Sequence, residues 1–313
     1  MRNHLKIPVS LLLVAVLIHN IEWETILSNI KTISAGSLLI AFSILTAQFP
    51  IRAYKWQKSL RLHGLEYLFV FLHKVLCISY FFNNFLPTSI GGDAYRAIRT
   101  VPNEGFKSRA VSAVLVERII GLSALLFLGW IGGILILSNE HIPVVLYFVL
   151  ACLLGGIVFV ILVVILRLGL LSGLFERLKR IEKLEAFTHN LNLIYRNPRA
   201  LANIFVISLI FQLLAIVAIA VLFDALGSDG AYAKYAFIAA TVGLVSLIPI
   251  SVNGIGVTEG AFAVTATQLG LDFNEAIIVA FTLRILVIPL SLACGFIYLA
   301  DSRRPPPTIQ IYE

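Results

Sequence analysis

Charge is what this 313-residue sequence has least of: Asp, Glu, Lys and Arg make up 13% of it, where a soluble globular chain carries about 25%. Too few polar side chains remain to cover a water-soluble enzyme, a DNA-binding domain or a disordered scaffold. Cysteine is scarce as well. Cys77, Cys152 and Cys294 each sit inside an apolar run, which excludes a disulfide framework or a clustered thiol metal site; they read as small hydrophobes in helical surroundings. The six histidines (His4, His19, His63, His73, His141 and His189) show no HExxH or other ligand spacing. Walker A, dinucleotide-binding and GxSxG patterns are missing, as is the paired-Asp motif of sugar-nucleotide transferases. No catalytic residue, metal or cofactor is therefore expected, and an ATP-driven step would need a partner.

What fills the sequence is apolar: 59% hydrophobic residues and a mean hydropathy of +0.94. This is the composition of a polytopic membrane protein. The net charge of +7 does not point to nucleic acid, because the basic residues fall in short stretches between apolar runs, where they set topology and meet anionic lipid. Arg2 and Lys6 precede the run Ile7 to Ile18, but no small-residue cleavage site follows. That run is expected to stay as a first span.

A helix crossing the hydrocarbon needs about 20 apolar residues. Stretches 5–21, 33–51, 111–137, 143–166, 201–226 and 276–300 qualify. Two more, 66–90 and 235–268, are interrupted by Pro and Gly. Segments 52–63 and 96–109 each carry four Lys or Arg and both read as cytoplasmic loops, although an apolar stretch separates them. The fold expected from this is all-α: six full spans plus two oppositely oriented re-entrant hairpins, about 66–95 and 235–268, in one transmembrane domain with both termini cytoplasmic. Eight full spans is the alternative. Segment 171–197 repeats apolar residues at helical spacing among Arg177, Lys179, Arg180 and Lys183, as expected of an amphipathic helix on the cytoplasmic leaflet.

The two interrupted stretches echo each other. Pro87-Thr88-Ser89-Ile90-Gly91-Gly92-Asp93 can be set beside Pro249-Ile250-Ser251-Val252-Asn253-Gly254, with Gly256 and Glu259 following. Pro removes a backbone donor and Gly admits positive φ, so both should hold broken-helix backbone. Irregular backbone at membrane depth is tolerated inside protein or along a wet cavity, and paired broken helices form the substrate sites of secondary transporters. Ordinary interfacial loops would be the plainer explanation.

Charges inside spans are expensive, so they pair or line a pathway. Asp93, Arg96, Glu117, Arg118, Glu259 and Arg284 are the candidates, three acids against three arginines. Asp93 and Arg96 share a face if helical, whereas the adjacent Glu117 and Arg118 must each find a partner elsewhere. Arg96, Arg118 and Arg284 are candidates for holding an anionic headgroup, since guanidinium matches phosphate bidentately and stays charged. Asp93, Glu117 and Glu259 would balance that charge or take up protons. Purely structural pairing is the competing reading. His73 and Lys74 are also unusual inside an apolar stretch.

Asn84 to Arg96, Val116-Glu117-Arg118-Ile119-Ile120-Gly121 and Ile248 to Phe262 carry a resemblance. In this order they make the chain similar, over nearly its whole length, to the lysylphosphatidylglycerol synthase transmembrane-region family, also called the flippase-like domain family. The resemblance implies a bacterial or archaeal inner-membrane protein. It also implies kinship with proteins that move aminoacylated phosphatidylglycerol between leaflets, here as a stand-alone member without the aminoacyl-transferase domain. Expected from it is a lipid translocase whose partners are membrane lipids, and in some settings a lipid or glycan synthase. An intramembrane transferase using Asp93 or Glu259 as base, or a non-catalytic partner of a synthase, are the alternatives. The lipid, the energy source and the oligomeric state are open.

Overall fold

The computed structural model describes residues 31–85, 91–101, 106–167, 197–228, 230–248 and 250–301, together with Glu24 and Ser28. The expected first span 5–21, Pro87 within 86–90, Pro249, and the amphipathic segment 171–197 up to residue 196 lie outside them. All regular structure among the described residues is helical: α1 (Ala35–Leu62), α2 (Phe69–Phe85), α3 (Gly91–Arg99), α4 (Lys107–Leu137), α5 (Pro143–Arg167), α6 (Pro198–Ala225), α7 (Tyr232–Val245), a 3-10 turn Val252–Gly254, α8 (Val257–Gln268) and α9 (Phe273–Asp301). Four of them, α1, α4, α6 and α9, are long and apolar enough to cross a membrane, and α5 and α7 contribute shorter apolar stretches. The chain is an all-α, multi-pass membrane protein.

Helices α4, α5, α6 and α9 fall within a few residues of the expected spans. The N-terminal part of α1 does too, but its other end does not. Segment 52–63, expected as a cytoplasmic loop, continues α1 to Leu62, where a turn closes it: Gly64 takes φ 72 and the Leu65 N–H reaches back to the Leu60 carbonyl at 3.0 Å. The charges there misled because hydropathy scores Lys55 as a water-facing residue, whereas it is 4% exposed and ion-paired.

The helices on either side of each Pro-Gly stretch pack as a hairpin. In the first, α3 runs back along α2: the Gly92 N–H donates to Asn83 Oδ1 at 2.9 Å near the tip, and the Tyr67 hydroxyl donates to the Thr100 carbonyl at 2.9 Å at the base. Gly92 is required for this approach, since a Cβ there would lie 2.0 Å from the Ser79 carbonyl oxygen. In the second, α8 returns along α7, and Lys234 Nζ closes the base on the Leu269 carbonyl at 2.7 Å. The tips meet, Asn253 Nδ2 donating to Asn84 Oδ1 at 3.3 Å.

The bases lie at opposite ends of α4. Ser59 Oγ donates to the Ala113 carbonyl at 2.7 Å, which sets the C-terminal end of α1, and the hairpin that follows it, beside the start of α4. Lys234, at the other base, pairs with Glu140 just beyond the end of α4 at 3.0 Å. Helix α9 passes both tips, through Glu259, then Asn84, then Phe82. The order helix, hairpin, helix thus occurs twice, as α1, α2–α3, α4 and as α6, α7–α8, α9. Packing exchanges the parts: α1 lies against α6, α4 against the second hairpin's α7, and α9 against the first hairpin's α2.

Candidate functional site

Two polar clusters sit where the hairpins meet the long helices. The first is ionic. Helix α1 delivers Lys55, α3 delivers Asp93 and Arg96, and α4 delivers Glu117 and Arg118. Lys55 Nζ lies 2.7 Å from Glu117 Oε1, and Arg96 Nη1 lies 2.8 Å from Glu117 Oε2. The Nε of Arg96 lies 2.9 Å from Asp93 Oδ1, whose other oxygen pairs with Arg118. Arg96 is 0% exposed and its guanidinium lies over the Trp56 ring at 5.4 Å. Lys55 faces the Phe211 ring at 5.4 Å and fits beside Gly121, where a Cβ would come within 2.9 Å of its Nζ.

Every link in that chain joins two helices except Asp93–Arg96, which share a face of α3 as their spacing requires. Glu117 and Arg118 point to different partners, as adjacent helical residues must. The cluster therefore ties α3 to α1 and α4 by buried charge. At the open end of the same hairpin, outside the apolar runs, burial holds the His63 imidazole below its ordinary titration range. Its Nδ1 lies 2.8 Å from the Ser59 carbonyl.

The second cluster borders a hollow. A cavity of about 470 Å³ is lined by Tyr80, Asn84, Asn253, Thr258, Glu259 and Arg284, with apolar side chains of α7 and α9 completing its wall. Local backbone explains why these groups converge. Asn253 adopts φ 49 and Gly256 φ 80, so the chain turns sharply and starts α8 pointing into the space. Glu259, third residue of α8, accepts from the Gly256 N–H at 2.7 Å through one oxygen and pairs with Arg284 Nε through the other. Arg284 Nη2 also lies 2.7 Å from Thr258 Oγ1. Across the gap, Asn84 Nδ2 contacts Ser291 Oγ at 2.6 Å. The Glu259 side chain is 3% exposed, while that of Arg284 is 27% exposed, so part of the guanidinium faces the hollow.

The arrangement divides the sequence-derived set. Asp93, Arg96, Glu117 and Arg118 come together; Glu259 and Arg284 come together elsewhere. The three arginines do not form one cage. Of the expected broken-helix residues, Gly91 and Gly92 start α3, and Asn253, Gly254 and Gly256 shape the second tip.

Sequence reading missed Lys55, Tyr80 and Ser291, and gave Asn84 no role beyond opening a family motif. Lys55 had a signal: Arg52, Lys55, Trp56 and Ser59 recur at helical spacing and continue one face of α1 past residue 51. Tyr80 and Ser291 had none, since they are ordinary residues in apolar runs until the fold sets them beside the second tip.

The family model described as the lysylphosphatidylglycerol synthase TM region matches residues 3–295. No curated protein matches the chain.

Proposed function

The chain belongs to the lysylphosphatidylglycerol synthase TM-region family, and from that premise we propose that it is a translocase moving an anionic or polar-headgroup lipid across a bacterial or archaeal inner membrane. The observation that carries this reading is the meeting of two hairpins, open at opposite ends of α4, beside a polar cavity. In this reading both hairpins are re-entrant. The base of the first, beside Arg61, Arg99 and Arg109, faces the cytoplasm, as its positive charge favours. The second opens to the far side. Both termini are cytoplasmic.

Two short helices, α3 and α8, begin at the tips, so their N-terminal dipoles favour a negative headgroup near the midplane. The acyl tails stay in lipid. Access alternates as one half rocks against the other, and the Glu259–Arg284 pair rearranges because part of Arg284 is already open to the hollow.

No covalent change to the lipid belongs to this proposal. Both oxygens of Asp93 and both of Glu259 are engaged by cations or an amide, which leaves neither in the posture of a general base. The test is translocation of fluorescent lipid by the purified chain in vesicles. Wild-type protein should move label between leaflets, and Glu259→Gln or Arg284→Ala should slow it at least tenfold with folding intact. Unchanged rates in both variants would remove this cavity from the mechanism. Mass spectrometry showing altered lipid would replace the translocase with a transferase.

A further inference from the structure

His73, Cys77 and Cys294 take no part in either polar cluster, yet the fold brings them together. His73 and Cys77 stand one turn apart on α2, and the Cys77 thiol lies 3.8 Å from His73 Nε2. Cys294 comes from α9, and its thiol is within hydrogen-bonding reach of that of Cys77. The two helices pack closely here: one turn beyond Cys77, a Cβ on Gly295 would fall 2.8 Å from the Phe81 ring. The other imidazole nitrogen, Nδ1, is buried and has no hydrogen-bond partner among the described residues. It can keep its proton while Nε2 accepts one from the thiol, the posture of a general base beside a nucleophile.

All three side chains border one groove of about 680 Å³, walled by α1, α2 and α9. Among the described residues it shares no lining side chain with the Glu259–Arg284 cavity, and its size is that of a small-molecule site. Its walls are mainly apolar, and Ala47, Pro50 and Ala293 on its border are exposed, so in a bilayer it opens onto acyl chains. A thiol beside a base, with a second thiol placed to resolve it, is the arrangement that oxidation by peroxide uses. Both cysteines are only 5% exposed, which favours an oxidant arriving along the groove over one arriving through water.

We infer that His73, Cys77 and Cys294 form a dithiol site that reduces a hydroperoxide carried on a lipid acyl chain. The chain lies in the groove, and His73 Nε2 takes the proton of the Cys77 thiol. The thiolate attacks the terminal oxygen of the O–O bond, which breaks; the proton passes to the departing alkoxide. A lipid alcohol and a sulfenic acid on Cys77 result. The Cys294 sulfur then displaces the hydroxyl of the sulfenic acid, which leaves as water with the Cys294 proton. Two thiols and one hydroperoxide thus give a disulfide, an alcohol and water, the peroxide gaining the two electrons that the thiols lose. The new bond fastens α2 to α9, and without an added thiol reductant each chain turns over once.

The full chain, reduced and placed in nanodiscs of saturated phosphatidylcholine, is given phosphatidylcholine bearing an acyl hydroperoxide, and its thiols and the lipid products are followed by mass spectrometry. Wild-type protein should form the Cys77–Cys294 disulfide and release one lipid alcohol per bond, while Cys152, partly exposed in α5, stays a free thiol. Cys294→Ser should stop at a sulfenic acid on Cys77 that dimedone traps, and Cys77→Ser should make no alcohol. His73→Gln should slow alcohol release at least tenfold, about the lower bound of what a positioned base supplies. Hydrogen peroxide at the same concentration should oxidise Cys77 more slowly than the lipid hydroperoxide does; that comparison needs wild-type protein alone and holds where a variant fails to fold. Oxidation of Cys77 no faster than of Cys152, alcohol release without the disulfide, or equal rates with the two peroxides overturns the inference. None of these readouts depends on lipid translocation, so this site and the translocase reading stand or fall separately.

Discussion

Asp93 and Glu259 occupy equivalent places, each the third residue of the short helix that leaves a hairpin tip, yet they keep different company. Asp93 meets two arginines, and neighbouring Glu117 is held by Lys55 and Arg96, with cations arriving from three helices. Glu259 has Arg284 and its own helix's amide, and beside it lies an empty volume large enough for a headgroup. The same local pattern of break, glycine and acid therefore yields a brace at one tip and a rearrangeable pair at the other. What separates them is how many helices send charge to the acid, which no short motif encodes.

The largest break in this comparison should come from the brace. Glu117→Ala leaves Lys55 and Arg96 buried without their shared carboxylate, and removing one partner of a buried ion pair costs about 3–5 kcal/mol. Thermal unfolding of the detergent-solubilised chain should show a large loss, whereas Glu259→Gln, which can still cap α8, should change little by the same measure. Equal destabilisation would mean both acids are braces. Next in size is Gly92→Val, which forces a side chain against the Ser79 carbonyl and should cost about 1–3 kcal/mol by overpacking. The same substitution at Gly155, where nothing approaches a Cβ within 4 Å, should be silent.

Smaller still is an effect of pH at the base of the first hairpin. The His63 imidazole titrates lower folded than unfolded, so the unfolded chain binds the extra proton first. Stability should therefore fall as pH drops below about 6.5, the ordinary histidine value. Melting temperatures at pH 7.5 and 5.5 test this, and His63→Gln should remove that part of the slope. The smallest expected effect is at the exposed, 3.9 Å pair Arg61–Glu66. Glu66→Gln should shift stability by less than about 1 kcal/mol, so a large shift there would mean the charged end of this hairpin is more tightly organised than its exposure implies.

Much of the scaffold was legible from apolar run length alone, as α4, α5, α6 and α9 show, because a predominantly apolar stretch of that length in lipid has few alternatives to a helix. The second half of α1 was not. Arg52, Lys55, Lys58 and Arg61 look alike in a hydropathy window, but only the fold separates Lys55, buried against Glu117, from Arg61, which is largely exposed. The six intramembrane charges were legible as a set, and their pairing only in part. Asp93 with Arg96 follows from helical spacing, while Glu259 with Arg284 and Lys55 with Glu117 depend on which helices pack. Among the described residues Lys55 also joins them, through Glu117.

The exchange of packing between the halves has one more consequence. Helix α4 leans on α7 through Gly129 and Gly132, where a Cβ would fall 2.2 Å from the Ala240 Cβ and 2.6 Å from the Ala233 carbonyl oxygen, and α9 clasps α2 in return. Each hairpin thus packs on both halves: α3 is tied to α1 and α4 of its own, and α8 to α9, while α7 and α2 lie against helices of the other. A larger residue at either glycine would push α4 off α7 and part the two halves at that seam.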